Sequence, residues 1–206
     1  MSHPFDPRHA ARLDDPARAR SQPVDGVLAL LSLTGAETVV DYGAGTGYLT
    51  LPLAAALPHG RVVAVDRSAE MLAELRRRLE ARRAAGGDAL APVELVHTAD
   101  NRVPLADGAA DAVAAVNLWH EISDDQAALD ELLRLLAPRG TLLIVDWDEG
   151  ATARPNGPWP PHALTLEQAL EVVAAVGLAV GLALPAGEPF PYHFTIVARH
   201  ATGVAP

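Results

Sequence analysis

Two side chains with distinctive chemistry are missing from this sequence. No cysteine occurs, which excludes disulfides, thiolate nucleophiles and cysteine-ligated zinc or iron–sulfur sites. All 16 basic residues are arginine, so no lysine is present to form a Schiff base or to serve in a phosphate-binding P-loop. Several large classes of enzyme are therefore excluded before any motif is considered.

Long apolar runs are missing as well. Half of the residues are hydrophobic, yet no run reaches the ~18 residues that a membrane-spanning helix needs. The N-terminus, MSHPFDPRHAARLDDPARAR, lacks the apolar core of a signal peptide. We therefore predict a cytoplasmic protein without a membrane span, and 206 residues suit one domain, with or without extensions.

Acidic residues outnumber basic ones by 26 to 16, which gives a net charge of −10. Nucleic acids are polyanions, and most non-specific affinity for them comes from neutralised phosphates. The one basic run, at 75–83, carries leucines at helical spacing, which favours a solvated helix face over a phosphate-binding patch. We predict a small-molecule partner and no nucleic acid, and either a monomer or a homodimer remains open.

Strand and helix patterns alternate along the chain. Short β-branched or apolar runs predict strands at 37–42, 61–66, 93–100, 111–117, 141–147, 178–184 and 192–199. Helical patterns occupy the intervening segments, with a cap at Ser68, a capping box at Thr165 and Gln168, and a kink or late start at Pro52. One of these helices is predicted at 126–137.

This alternation predicts an α/β fold, in which a mostly parallel sheet is covered on both faces. We expect a Rossmann-like, doubly wound sheet of seven strands, whose last strand is antiparallel and belongs to a C-terminal hairpin. Residues 1–34 are predicted to form an N-terminal arm and helix, and residues 35–206 a single domain.

Three glycines follow the first predicted strand: Gly43, Gly45 and Gly47. In open α/β sheets, ligands bind beyond the carboxyl ends of the strands, and a missing Cβ lets a ligand approach the backbone. A tight strand-to-helix turn is the alternative explanation. The spacing G-x-G-x-G differs from the dinucleotide fingerprint G-x-G-x-x-G, so a diphosphate cradle is not favoured.

Two carboxylates accompany the glycines. Asp41 precedes the loop, where it suits a cation better than a diphosphate. Asp66 ends the next strand, where it is placed to accept hydrogen bonds from ribose hydroxyls. The less favoured alternative is a plain helix N-terminal residue.

Four segments carry a resemblance to a known family: VVDYGAGTGYLTLPLA, VVAVDRSAEML, HTADNRVPLADGAADAV and LLAPRGTLLIVDW. In this order and spacing they resemble class I S-adenosylmethionine-dependent methyltransferases, most closely the small-molecule group that includes the ubiquinone/menaquinone-biosynthesis type. The likeness covers about residues 35–150. It implies that residues 35–206 form one methyltransferase domain, with S-adenosylmethionine as cofactor and a small molecule as methyl acceptor.

The resemblance also implies roles at the methionine and ribose end of the cofactor. Gly43, Gly45 and Gly47 would pack against this part of the molecule. Asp41 would help to hold the ammonium group, and Asp66 would bind the ribose hydroxyls.

Further roles are implied at the other parts of the cofactor. Arg67 and Met71 would flank the adenine ring. Asp100 would accept from the adenine amino group, beside the backbone of Asn101. Asn117, at the end of the fourth strand, would lie beneath the sulfonium.

Methyl transfer is an in-line displacement, and alignment alone can supply much of the rate, so a general base is optional. If a base exists, His120 in NLWHEI is placed to take a proton from a hydroxyl or amine, with Glu121 beside it.

His162 lies in a Pro/Gly-rich loop at 149–162 that is predicted as a lid. Each of these side chains could instead be structural or surface-exposed. HEISD is not H-E-x-x-H, and no metal site is predicted.

Two other functions remain open. A non-catalytic S-adenosylmethionine-binding sensor or partner protein would keep the cofactor residues without a compelling catalytic group. A nicotinamide-dependent oxidoreductase is less favoured, because it would need the later third glycine.

Overall fold

The computed structural model describes residues 16–86, 89–151 and 162–201. The helices in these ranges are α1 (Pro16–Ser21), α2 (Val24–Leu31), α3 (Thr50–Ala56), α4 (Ala69–Ala84), α5 (Trp119–Ile122), α6 (Gln126–Leu135) and α7 (Leu166–Ala175). The strands are β1 (Thr38–Tyr42), β2 (Arg61–Asp66), β3 (Val93–His97), β4 (Ala110–Val116), β5 (Leu136–Trp147), β6 (Leu178–Leu184) and β7 (His193–His200).

The seven strands form one sheet in the order β3-β2-β1-β4-β5-β7-β6. Strands β1 to β5 pair in parallel, and β7 runs antiparallel to both β5 and β6. The predicted α/β fold, with a doubly wound sheet and an antiparallel last strand, is confirmed. The chain moves outward from β1 to β3 and then returns to β4 on the other side of β1. Such a reversal opens a crevice at the carboxyl ends of the strands.

An apolar layer covers each face of the sheet. Successive residues of a strand point to opposite faces, so Val40 packs in a buried cluster with Leu132 of α6. Val39 belongs instead to a cluster with Val27 of α2 and Leu53 of α3. A strand buried on both faces must be apolar throughout, which accounts for the continuous run in β5.

Side-chain caps begin two of the helices as predicted. Ser68 Oγ accepts from the Met71 N–H at 3.2 Å at the start of α4. At α7, the Gln168 N–H donates to Thr165 Oγ1 and the Thr165 N–H donates to Gln168 Oε1, which completes the capping box.

Some boundaries differ from the predictions. Helix α3 begins at Thr50, which places Pro52 in its first turn, where an N–H has no helical partner; the predicted late start is confirmed. Helix α6 ends at Leu135 and not at 137, and β5 begins at Leu136 and not at 141. Leu136 already pairs with Ala110 of β4, and the PRG segment lies in a register shift between this pair and the next one. The sequence does not predict α1 and α5, since both are too short to show a period.

The N-terminal segment packs against the rest of the fold. Val27 and Leu31 of α2 are buried in the cluster that lies beneath one face of the sheet. The domain boundary at residue 34 stays a prediction. Within the described ranges, no helix combines the length and the apolar character that crossing a membrane requires.

Gly47, in the turn before α3, packs directly against α4. Its φ is +94°, and a Cβ there would collide with Cδ1 of Leu75. Gly177 is a matched control, because its φ is +80° and nothing lies within 4 Å of a Cβ at that position. We expect Gly47→Ala to lower the free energy of unfolding by about 1–3 kcal/mol more than Gly177→Ala does. Denaturant titration measures both losses, and equal losses would contradict the packing role of Gly47.

Candidate functional site

A cavity of about 370 Å³ opens at the carboxyl ends of β1, β2 and β4. Its volume lies near the lower end of the ~300–1,000 Å³ typical of ligand pockets. The loops that follow these strands form most of its wall. The predicted residues that line it are Asp41, Gly43, Gly45, Asp66, Arg67, Met71, Asn101, Asn117 and Glu121.

Four predicted residues do not line the cavity: Gly47, Asp100, His120 and His162. Gly47 faces α4 instead. Asp100 is exposed, and its carboxylate turns toward its own loop, where it accepts from the Thr98 hydroxyl at 3.0 Å. His162 is exposed and adjoins residues 152–161 of the predicted lid, which lie outside the described ranges.

Gly43 and Gly45 shape the loop between β1 and α3. Both have positive φ, +82° and +53°, which glycine adopts without a steric penalty. The N–H groups of Gly43 and Ala44 donate to the Val65 carbonyl at 2.8 and 2.9 Å, which ties the loop to β2. A Cβ at Gly43 would lie 2.7 Å from Cδ2 of Leu118. Close packing within the chain therefore accounts for part of the glycine pattern.

Asp66 joins the loops that follow β1 and β2. Its Oδ2 accepts from the Gly45 N–H at 2.7 Å, and its Oδ1 accepts from the Ser68 N–H at 2.8 Å. Burial raises the pKa of Asp66, while these backbone amides act in the opposite direction. An ionised carboxylate has about four acceptor positions, so Asp66 keeps capacity for hydroxyl groups of a ligand.

Asp41 is a buried carboxyl group at the end of β1. It is only 3% exposed, and its Oδ2 accepts from the Thr50 hydroxyl at 2.5 Å. Burial raises the pKa of Asp41 to about 6, and the negative charge of Asp66 contributes in the same direction. A nearby cation would favour the ionised carboxylate, so this part of the cavity suits a positively charged ligand group.

Helix α1 closes one side of the cavity. Gln22 is fully buried, and its amide exchanges two hydrogen bonds with the amide of Asn117, at 3.0 and 3.2 Å. The guanidinium of Arg18 lies over the Tyr48 ring, 3.8 Å from its centroid, and both Arg18 and Tyr48 line the cavity. The Tyr48 hydroxyl donates to the Gln22 carbonyl at 2.6 Å. No local pattern predicts these contacts, because Gln22 and Asn117 are 95 residues apart.

A pair formed by the buried Asp146 and the partly buried His120 lies beside Glu121. Asp146, at the end of β5, is fully buried and accepts from the His120 backbone N–H at 2.9 Å. His120 Nδ1 lies 2.8 Å from Asp146 Oδ1, so we assign the proton to Nδ1, and Nε2 is then the proton-accepting ring atom. Nε2 is 3.8 Å from Oε1 of Glu121. Burial raises the pKa of Glu121, whose side chain lines the cavity.

Among the described residues that line the cavity, acidic side chains outnumber basic ones. Its acidic residues are Asp41, Asp66, Glu70 and Glu121, and its basic residues are Arg18 and Arg67. This balance suits a ligand with positive charge. Among the described residues, no group of three or more histidine and carboxylate side chains could hold a metal ion.

Comparison with known proteins gives a family and a structural relative. The chain matches the family described as "Methyltransferase domain" over residues 40–144. A solved SAM-dependent methyltransferase from Aquifex aeolicus superposes with a TM-score of 0.83 at 28% identity, covering 95% of this chain and 98% of that one.

Two curated relatives are similar in sequence. A demethylmenaquinone methyltransferase from Thermus thermophilus is 37% identical over 115 residues, which is 54% of this chain and 47% of that protein. A trans-aconitate 2-methyltransferase from Azoarcus sp. is 33% identical over 189 residues, which is 90% of this chain and 65% of that protein. The chain thus spans less than two thirds of the length of either relative.

The buried carboxyl of Asp41 predicts a pH-dependent stability. Because its pKa is raised in the folded state, Asp41 favours folding below pH ~4 and loses this contribution as pH rises through about 6. Asp41→Asn should therefore raise the free energy of unfolding more at pH 8 than at pH 4. The difference should be about 3 kcal/mol, from a shift of about two units. Denaturant titration at both pH values measures it, and the exposed Asp124, changed to Asn, is the control. The same pH dependence in both variants would contradict the assignment.

Proposed function

The chain belongs to the family of methyltransferase domains, and on this premise we propose that it transfers a methyl group from S-adenosylmethionine to a small-molecule acceptor. The family and the SAM-dependent structural relative indicate S-adenosylmethionine as the cofactor. When bound, this cofactor supplies a methyl group on a positively charged sulfur, which activates it for in-line displacement. The acidic cavity beside the glycine loop is the observation that carries the proposal.

The residues at one end of the cavity fit the amino-acid and ribose parts of the cofactor. Asp66 would accept from the ribose hydroxyls with the acceptor positions that Gly45 and Ser68 leave. Asp41 would face the ammonium group, whose charge offsets the burial of the carboxylate. Gly43 and Gly45 carry no side chain, so the backbone of the loop beside these groups would be open to the cofactor.

Other residues fit the adenine and the sulfonium. Arg67 and the buried Met71 would flank the ring. We assign the polar contacts of the adenine to Thr98 and Asn101, which line the cavity in place of Asp100. Asn117 would lie beneath the sulfonium, with its amide held by Gln22.

The charge of the cavity would favour release of the product as well as binding of the cofactor, because the sulfonium of the cofactor carries a positive charge and the thioether of the product does not. Acidic side chains therefore attract the cofactor more strongly than its product. Alignment of acceptor and methyl group would supply most of the rate.

The Asp146–His120–Glu121 arrangement provides a place for a proton that the acceptor loses. Glu121 is the member that reaches the cavity wall, and His120 lies beside it. Glu121 would take the proton from the acceptor and pass it to Nε2 of His120, which lies 3.8 Å from Oε1 of Glu121, while Asp146 would hold the imidazole in place. We therefore propose an acceptor with a removable proton, such as a hydroxyl, an amine or an acidified C–H group.

The remaining expectations are proposals of the same kind. The net charge of −10 supports a small-molecule acceptor over nucleic acid. A cytoplasmic location, a monomeric or homodimeric state and a methyltransferase domain beginning at residue 35 are proposed from the sequence alone.

Mass spectrometry of ligands released from the purified protein, followed by a methyl-transfer assay with labelled cofactor, tests the proposed function. The acceptor panel includes demethylmenaquinone and trans-aconitate, which appear in the names of the curated relatives. Bound S-adenosylhomocysteine together with a labelled product supports the proposal. Tight cofactor binding without turnover across a broad metabolite library would indicate a sensor, and a bound nicotinamide dinucleotide would indicate an oxidoreductase.

Removal of the Asp66 carboxylate should weaken cofactor binding. We expect Asp66→Ala to lower affinity for S-adenosylmethionine and S-adenosylhomocysteine ~10- to 150-fold, because hydrogen bonds to a charged acceptor contribute about 1.5–3 kcal/mol. Asp66→Asn, which keeps one acceptor oxygen, should lose less. Calorimetric titration measures both variants against exposed Asp124→Ala, and unchanged affinity in Asp66→Ala would remove this residue from the site.

Replacement of His120 separates proton transfer from alignment. If Nε2 receives the proton, His120→Ala should lower kcat by ~10²- to 10⁴-fold while cofactor affinity stays the same. Activity of the variant should recover as pH rises, because the acceptor then ionises without help. The control variant is His59→Ala. His59 is exposed and precedes β2, at the amino end of the strand and away from the cavity. A higher KM for the acceptor with unchanged kcat would show that His120 only orients the substrate.

A further inference from the structure

We propose that the amide oxygen of Asn101 accepts from the 6-amino group of the adenine base, and that Asp125, the residue before α6, holds this amide in the orientation that the contact requires. The inference rests on the cofactor proposed above and deepens it, because it names the residues that select the base. Asn101 touches the ligand, and Asp125 is a positioning residue that acts through Asn101.

A hydrogen bond to Asp125 fixes the direction of the Asn101 amide. Asn101 Nδ2 donates to Asp125 Oδ2 at 3.2 Å. The two ends of an amide are similar in shape, so its direction is set by its hydrogen-bond partners. An ionised carboxylate only accepts, which means that the amide nitrogen faces Asp125 and the oxygen faces away from it. Asp125 therefore decides which end of the amide is left for a ligand.

The oxygen of the Asn101 amide is an acceptor that the fold does not use. Asn101 lines the cavity and is 8% exposed. In the part of the chain that the structure describes, the amide makes its hydrogen bond through Nδ2, and Oδ1 is not one of the buried polar atoms that lack a partner. Oδ1 is therefore accessible, in a residue of the cavity wall.

The backbone around Asn101 is held in place as well. Its φ is +65°, in the left-handed region that asparagine adopts more readily than most residues. Its carbonyl accepts from the Tyr42 hydroxyl at 3.4 Å. Two positions later, the Val103 N–H donates to Oε1 of the buried Glu131 at 2.7 Å, which ties the same loop to α6. The acceptor is thus presented from a loop whose position is set before a ligand arrives.

Asp100 does not provide this acceptor, although it is adjacent in sequence. Its Oδ1 accepts from the Thr98 hydroxyl at 3.0 Å and from the Arg102 N–H at 3.2 Å, and the residue is exposed. Thr98 does line the cavity, so its hydroxyl oxygen is the competing acceptor. The experiment below separates Thr98 from Asn101.

Adenine and hypoxanthine differ at the position that Oδ1 would contact. Adenine carries an amino group there, which donates, whereas hypoxanthine carries an oxygen, which only accepts. Oδ1 would form a hydrogen bond with adenine and would face a second acceptor in hypoxanthine. An asparagine amide is a common partner of adenine for this reason.

S-inosylhomocysteine provides the test, because it is S-adenosylhomocysteine with oxygen in place of the 6-amino group. Calorimetry measures the affinity of both compounds for the wild type, Asn101→Gly and Asp125→Asn. We expect the wild type to prefer S-adenosylhomocysteine by ~5- to 150-fold. Asn101→Gly, which tolerates the positive φ, should lose this preference. Asp125→Asn should lose it as well, because an amide at 125 can donate to Oδ1 and let the Asn101 amide turn.

The choice of Asp125→Asn protects the start of α6. Asp125 Oδ1 accepts from the Ala127 and Ala128 N–H groups at 3.1 and 3.2 Å, and asparagine caps a helix about as well as aspartate does. Asp124→Asn, at the exposed neighbouring position, is the matched control and should keep the wild-type preference. The ratio of two affinities in one variant does not depend on how much of the protein is folded, so a purely structural effect leaves it unchanged.

Equal affinity of the wild type for the two compounds would overturn the inference. A preference that survives in Asn101→Gly would also overturn it and would assign the selection of the base to the Thr98 hydroxyl. A preference that survives in Asp125→Asn would refute the positioning role of Asp125. Binding of neither compound by the wild type would instead contradict the proposed cofactor.

Discussion

The carboxylate of Asp66 joins the two loops that follow β1 and β2, and the candidate site depends on this junction. Reversal of the strand order at β1 brings several loops to one edge, but the topology does not fix their positions relative to one another. Asp66 does so by accepting from Gly45 in the first loop and from Ser68 in the second. The Val65 carbonyl, one residue earlier, accepts from Gly43 and Ala44 and strengthens the same junction. The shape of the cavity therefore follows from the end of a single strand.

Electrostatics impose the second constraint. Burial raises the pKa of Asp41, Asp66 and Glu121, so the ionised forms of these groups oppose folding when no ligand is present. A cationic ligand would reverse this effect and stabilise the folded state by mass action. Without a ligand, the hydrogen bonds from Thr50 to Asp41 and from the backbone amides to Asp66 lower the free-energy cost of burying these carboxylates. An acidic cavity of this kind is costly for stability alone and is explained by a positively charged ligand.

The fold and the main walls of the cavity are predictable from the sequence because their signals are local. The β-branched strands, the glycines after β1 and the caps at Ser68 and Thr165 each depend on neighbours within a few positions. Contacts between distant segments leave no such pattern. The pairing of Gln22 with Asn117 and of His120 with Asp146 requires the folded chain, since the partners are 95 and 26 residues apart.

Side-chain direction is the other property that a pattern does not supply. Gly47 belongs to the same run as Gly43 and Gly45, yet only the structure shows that it packs against α4. Asp100 and Asn101 are adjacent, but Asn101 faces the cavity and Asp100 faces its own loop. Glu121 and His120 are also adjacent, but only Glu121 lines the cavity, since the His120 ring pairs with Asp146 of β5.

A crystal structure of the protein with S-adenosylhomocysteine tests the proposed binding site most directly. We predict that the ribose hydroxyls lie within hydrogen-bonding distance of Asp66. The amino-acid part should lie beside Asp41, and the thioether sulfur should face Asn117. Binding of the ligand elsewhere on the molecule, or an empty cavity at saturating ligand concentration, would contradict this assignment.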